Sequence, residues 1–382
     1  MLYSLKNDII TLLMLKLRYC MYRLIGVITA MNKKQVLRFI GFMLCVVLLV
    51  GSLTYVALQQ PDFAQTQDRF DDFKKFEDNT VDVIFTGTSG IDRYYISAQG
   101  FEDYGITAYP LTSDAQSAWL AVNMIEEAKR TQNPQLVVID MRPFTTMYNK
   151  KVESIEAGVR YVTDTNCLSL KNRINAIEKS LTKLQTIAPD HKFDKKSFYL
   201  PLMKHHSAWA SIEEFIDEYA FAQLGFYMSP TRTVVTTPAF EDLTGVVSSK
   251  TDLHPVAQES LNELLDYLDT QEFEVLFINT PQGRSESEMS TNNKLCEILE
   301  SRGYKYLICK IDETYDIEND FYNSGHVNYY GATKFTDYFA QYLKDNYDLP
   351  DRREDTNCEY WYGHNDQIID TVSLWAQQAE EE

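Results

Sequence analysis

Along the chain, apolar runs of strand length alternate with stretches in which apolar residues recur every three or four positions. The strand-like runs are VDVIFTG (81–87), GITAYPL (105–111), QLVVIDM (135–141), EVLFINTP (274–281) and YKYLICKI (304–311). Their β-branched and aromatic content suits a pleated, buried surface. Helical periods fall between them at Ala115–Lys129, Val256–Leu268, Thr291–Arg302 and Tyr330–Leu343. In the second of these, Leu261, Leu264, Leu265 and Leu268 share a face behind Pro255; the third is closed by Gly303. The last carries Phe335, Tyr338, Phe339, Tyr342 and Leu343. Strands that are apolar at nearly every position need cover on both faces, so the pattern predicts an α/β fold around a parallel sheet. In such sheets ligands sit beyond the carboxyl ends of the strands.

Residues 142–255 interrupt the alternation. Ile174, Ile177, Leu181 and Leu184 share a helical face, and aromatics cluster at Phe198, Tyr199, Trp209, Phe215, Tyr219, Phe221, Phe226 and Tyr227. This reads as a helical insertion in a domain spanning 81–350, placed to act as a lid or docking surface, with the aromatics from Trp209 to Tyr227 packing at helical spacing. Gln59 to Thr80 is acidic with sparse apolar positions and reads as a stalk. Residues 351–382 read as a C-terminal extension, with Arg352, Arg353 and Trp361 wrapping the surface.

The most apolar segment is Phe39–Leu58, an uncharged run of the length a membrane-crossing helix needs. Lys33, Lys34 and Arg38 precede it, while Asp62, Asp68, Asp71 and Asp72 follow. The basic flank belongs in the cytoplasm, which predicts a single-pass anchor at 39–58, a cytoplasmic N-terminus at 1–38 and an extracytoplasmic C-terminal domain. A cleaved signal peptide is the rival reading, but the run is longer than a typical h-region and lacks an evident small-x-small site. The first 30 residues, with Lys16, Arg18 and Arg23 among their apolar positions, read either as untranslated, Met31 being the true start, or as an amphipathic helix on the cytoplasmic leaflet.

Composition narrows the function classes. The 382 residues are 45% hydrophobic, enough for one large domain or two small ones, and carry a net charge of −19. That balance argues against nucleic acid, which calls for a clustered basic face. Of the 6 cysteines, Cys45 lies in the membrane run and Cys20 in the leader, and Cys167, Cys296, Cys309 and Cys358 are scattered with no C-x-x-C pair. Nothing there reads as a zinc ribbon, and disulfide pairing stays open. His205-His206 lacks acidic or cysteine partners at ligand spacing, so neither a metal nor a cofactor is expected.

Two places carry candidate chemistry. The first strand breaks into Gly87-Thr88-Ser89-Gly90, and the stretch DFYNSGHVNYYGATKF puts His326 in a turn just before a helix. A hydroxyl becomes a useful nucleophile beside a base that takes its proton, and imidazole is the usual base near neutral pH. Both groups fall at the ligand-binding edge of the predicted sheet. Arg93, soon after the serine, reads either as a partner for a substrate carboxylate or phosphate or as one half of a structural ion pair.

These blocks resemble the SGNH (GDSL-like) hydrolase superfamily. The nearer likeness is to its membrane-anchored branch, found beside membrane-bound O-acyltransferases and related to the lipoteichoic-acid D-alanylation protein. Gly87-Thr88-Ser89-Gly90 is similar to the branch's G-[ST]-S-[HG] block. Asn323-Ser324-Gly325-His326-Val327-Asn328-Tyr329-Tyr330-Gly331-Ala332 is similar to its D-x-x-H-[LV]-N-x-x-G-A block, and His206-Ser207-Ala208-Trp209 to its H-S-x-W element. The resemblance implies a three-layer, flavodoxin-like parallel-sheet sandwich with Ser89 as nucleophile, His326 as base, and His206 and Trp209 near substrate. It also implies acyl transfer or hydrolysis on an envelope polysaccharide or teichoic-acid-like polymer, in partnership with an O-acyltransferase.

The chain departs from the pattern twice. Asn323 stands where the family has aspartate; an amide can fix the imidazole's tautomer but cannot stabilise imidazolium, so Asp320 substitutes, or Ser89 and His326 act as a dyad. At 109–116 the family's oxyanion Asn or Gly is missing, leaving the main-chain N–H groups of Ser89 and Gly90, with Ser113 or Gln116, as donors; Asp114 close to an oxyanion would be harmful. Two expectations follow: a serine esterase or acyltransferase, or an inactive SGNH-like ectodomain that binds polymer or scaffolds the acyltransferase.

Overall fold

A computed structural model describes residues 32–146, 148, 150–208, 220–234 and 247–381. The chain divides into two compact units, Met1–Val56 and Ala57–Glu382. In the first, helix α1 (Lys33–Ala57) is long and apolar enough to cross a membrane. The leader 1–30 lies outside the described residues.

The second unit is mixed α/β. Its sheet holds β1 (Val83–Thr86), β2 (Ala108–Pro110), β3 (Leu136–Asp140), β6 (Glu274–Asn279) and β7 (Lys305–Ile308), one strand from each predicted run. The order is β2-β1-β3-β6-β7 and every pairing is parallel, with Val83 opposite Ala108 on one side and Leu136 on the other. Chain order reverses direction between β1 and β3, which opens a crevice at their carboxyl ends. Successive residues of a strand face opposite sides. Thus Leu136 and Val138 join one core and Val137 and Ile139 another. On the second face lie α8 (Pro255–Leu268), buried through Leu261, Leu264, Leu265 and Leu268, and α9 (Glu286–Ser301). The first face is covered by α4 (Ser97–Tyr104) and α10 (Tyr329–Asn346), buried through Phe335, Phe339 and Leu343.

Helix limits follow capping. The predicted third helix begins earlier, at Glu286, because Ser285 and Glu288 form a reciprocal capping box. The helix predicted from Ala115 begins only after a 3₁₀ turn at Ala118–Leu120, as α5 (Ala121–Ala128); Ala115 has φ 50° and Ser117 is extended.

Three expectations are corrected. The segment read as a stalk instead forms α2 (Pro61–Phe73), seated in the domain by buried Phe63, Phe70, Phe73 and the following Phe76. Its Arg69 is fully buried and donates to the carbonyls of Gly225 (3.0 Å) and Thr112 (2.9 Å) and to Gln65 Oε1 (3.2 Å), beside Asp92 (3.6 Å). Polar residues with partners far along the chain make this helix, so an apolar period alone does not reveal it. The C-terminal segment is core rather than surface wrap: Trp361 is buried and stacks on Phe76 at 4.6 Å. Arg352 there grips Asp82 with two 2.8 Å hydrogen bonds, while Arg353 stays outside, paired with Asp351. In the insertion, α6 (Val152–Thr163) and α7 (Leu170–Ile187) are helical as expected, but Phe221, Phe226 and Tyr227 lie on a hairpin, β4 (Phe221–Gln223) with β5 (Phe226–Met228), which turns at Leu224-Gly225. Trp209, Phe215 and Tyr219 lie outside the described residues. The described cysteines are all free thiols.

Candidate functional site

The crevice at the β1 and β3 ends is a cleft of about 230 Å³ lined by Ser89, His326, Arg93, Arg142, Lys150, Asp62 and Asp114. Each reaches it from the carboxyl edge of the sheet or from a segment packed over it.

Ser89 opens the short helix α3 (Ser89–Asp92), capped by Thr88, whose Oγ1 accepts from Gly90 N at 3.1 Å. Gly87 has φ 154°, and a Cβ there would lie 2.1 Å from the Cβ of Asp140, so only glycine lets β1 turn this close to β3. Asp140 then pins the turn. Its Oδ2 accepts from Thr88 N (2.9 Å) and from the Thr88 hydroxyl, and its Oδ1 accepts from Arg142 N at 2.9 Å.

His326 sits on a second tight hairpin, β8 (Phe321–Asn323) with β9 (His326–Val327). Asn323 Oδ1 accepts from Gly325 N at 2.9 Å and faces His326 Nδ1 at 3.0 Å. The amide oxygen is an acceptor, so Nδ1 carries the proton and Nε2 keeps its lone pair. Nε2 lies 2.9 Å from Ser89 Oγ, across 237 positions of sequence, and accepts its proton. The ring stacks on Tyr322 at 5.4 Å, and Gly283 N donates to Ser324 O (2.8 Å) to hold the hairpin tip.

The electrostatics are unusual for a general base. Burial, then the charges of Arg93, Arg142, Arg232 and Lys150, push the imidazole well below its ordinary pKa. Asp62 moves the other way, raised by burial and by Asp114, while Tyr161 donates to it at 2.9 Å. Arg93 is paired with Asp114 at 3.0 Å, hydrogen-bonded to the Tyr322 hydroxyl, and lies 4.2 Å from the Tyr227 ring centre. Asp114 also accepts from Gln65 at 3.0 Å; its Oδ2 is thus engaged away from the serine, and its Oδ1 is buried without a partner.

Several expected site residues sit elsewhere or are already engaged. Asp320 does not touch the imidazole: its Oδ2 accepts from Asp316 N (2.7 Å) and from Lys334 (2.6 Å), leaving Asn323 as the orienting group. Of the expected oxyanion donors, Gly90 N is spent on Thr88, and Gln116 donates to Thr86 Oγ1 at 3.1 Å. Ser113 N donates to Gly87 O (3.2 Å), and its hydroxyl is buried without a partner and is not part of the cleft lining. The N–H of Ser89 remains, at a helix start where no intrahelical acceptor exists. His206 is exposed, with Nδ1 against Met203 O at 3.1 Å, away from the cleft, and its neighbour His205 instead pairs with Asp164 at 3.0 Å. Trp209 lies outside the described residues.

Sequence reading missed Asp140, Arg142, Lys150, Asp62 and Tyr161. The first two were signalled by position, since Asp140-Met141-Arg142 ends the strand next to that of Ser89, across the switch point. Among the described residues no group of His, Cys, Asp and Glu side chains is arranged to hold a metal. Comparison of the chain with protein-family models and with curated proteins gives no match.

Proposed function

We propose that this chain is a single-pass membrane-anchored serine acyl-ester hydrolase or O-acyltransferase of the SGNH type, acting outside the cytoplasm on an envelope polymer. One observation carries the reading: Ser89 Oγ is 2.9 Å from His326 Nε2, and Asn323 holds the far nitrogen at 3.0 Å. That arrangement supports reading them as the nucleophile, base and orienting group of an acyl-transfer site.

In the reaction, Ser89 Oγ attacks the acyl carbonyl carbon while its proton passes to His326 Nε2. The Ser89 N–H faces the developing oxyanion. Collapse breaks the bond to the leaving alcohol, whose oxygen takes the proton from Nε2, and the acyl group stays on Ser89. Water or a sugar hydroxyl then attacks, giving its proton to Nε2, and Ser89 leaves with that proton restored. Hydrolysis and transfer differ only in which hydroxyl reaches the acyl-enzyme. A membrane-bound O-acyltransferase supplying the acyl group is part of the proposal through the sequence resemblance alone.

A second reading, an inactive SGNH-like scaffold, is favoured by Asn323 in place of an acid and by the depressed basicity of His326. Hydrolysis of 4-nitrophenyl acetate separates the two. The enzyme reading expects turnover by the full chain in detergent, lowered at least about 10³-fold by Ser89→Ala or His326→Ala. Wild-type turnover no faster than that of Ser89→Ala assigns the scaffold.

A further inference from the structure

Two of the cationic side chains that line the cleft stand outside its ion pairs. Arg93 is paired with Asp114. Arg142 and Lys150 form no ion pair among the described residues, and Nη1 of Arg142 is buried with no hydrogen-bond partner. Buried donors left unpaired in a native fold call for an explanation, and a missing ligand is one.

That guanidinium passes close over Gly90 and lies in ordinary contact with Gly325. A Cβ at Gly90 would lie 2.7 Å from Arg142 Cδ and 3.0 Å from its Nη1, and one at Gly325 would lie 3.6 Å from Nη2. Arg142 therefore threads between the residue after the nucleophile and the residue before the base. Lys150 lines the same cleft with its side chain exposed. Among the described residues, the other charged or titratable groups near this site are Arg93 and Arg232, the phenol of Tyr322, the cleft carboxyls Asp62 and Asp114, of which Asp62 is held by Tyr161, and Asp140, whose carboxylate is bound to Thr88 and to Arg142 N.

We propose that the cleft binds an oxyanion, a phosphate or carboxylate borne by the substrate, between Arg142 and Lys150, and that this anion makes His326 a competent base. The proposal rests on the Ser89–His326 site described above. Burial and Arg93 still oppose imidazolium, but a negative charge at Arg142 and Lys150 offsets the part those two cations contribute, supplying from the ligand some of what Asn323 does not supply from the fold. An uncharged ester of the same size leaves the imidazole a weak base, so the site favours anionic substrates in catalysis as well as in binding.

The test follows the His326 imidazole by NMR in the full chain in detergent, titrating pH without and with inorganic phosphate, and separately with acetate. Phosphate, acetate or both should raise the His326 midpoint by about one unit, and the more effective anion identifies the oxyanion. Arg142→Gln should abolish the rise. Lys150→Gln, at an exposed side chain, should reduce it and serves if Arg142→Gln does not fold. A midpoint unmoved by both anions overturns the proposal, as does a rise that persists undiminished in both variants. The readout needs no turnover. A shifting midpoint in a protein that hydrolyses no ester supports the anion site while the acyl chemistry fails, and hydrolysis with an unmoved midpoint does the reverse.

Discussion

Arg69 and Arg142 lie at opposite ends of one design choice. Arg69, under the β2 edge, is fully buried, and each of its three nitrogens donates to an oxygen of the fold, with Asp92 alongside. Arg142, at the crevice between β1 and β3, keeps a buried nitrogen unpaired beside the serine. The first region is finished by folding. The second keeps a donor free for the proposed anion.

The largest effect that can break this comparison is on stability. Arg69→Ala strips Asp92 of its cation inside the core and should cost about 3–5 kcal/mol in urea unfolding. Arg142→Ala should cost within about 1 kcal/mol, since it removes no hydrogen bond made by the guanidinium. Equal losses would erase the distinction.

A smaller effect sharpens the role of the amide. Asn323→Asp puts a carboxylate on Nδ1, which favours imidazolium and raises the His326 midpoint. Turnover of a neutral ester at pH 7.5 should increase about tenfold. In the unaltered protein without added anion, the base stays unprotonated to low pH. The acid limb of kcat/KM should therefore lie below 6.5, the ordinary histidine value, and activity should be lost only as pH falls beyond it.

How far all this was legible in the sequence depends on how local the signal is. The five sheet strands lay in their apolar runs because strands buried on both faces need no distant partner to be recognised. Ser89 and His326 were legible because each sits in a short block whose geometry is set by its own residues: Gly87 for the turn, and Asn323 with Gly325 for the hairpin. Helix α2 was not, because its buried Gln65 and Arg69 are held by Thr112, Asp114 and Gly225. Trp361 was not, since its cover comes from Phe76 and Phe101 at the other end of the domain. The oxyanion donors went astray for the opposite reason: Thr88 takes the Gly90 N–H within the same turn, a competition that residue types alone do not display.

The smallest effect lies on the same α2 helix. Burial, then Asp72, raises the Asp68 carboxyl to about 6. A carboxyl whose folded pKa exceeds its unfolded value binds its proton more tightly in the native state, so its contribution favours folding below about pH 4 and is lost as pH rises through 6. Asp68→Asn should thus stabilise the domain by about 1 kcal/mol at pH 7.5 and leave it unchanged at pH 4. A gain equal at both pH values would show that the carboxyl is not strained by its site.

The most direct test of the central claim, that Ser89 is a nucleophile activated by His326, is covalent capture. The full chain, in detergent, is treated with a fluorophosphonate between pH 6 and 9 and digested for mass spectrometry. The account predicts one phosphonyl adduct, on the peptide containing Ser89, lost in Ser89→Ala and strongly slowed in His326→Ala. No adduct on wild type across that range, or one on another serine, would contradict it.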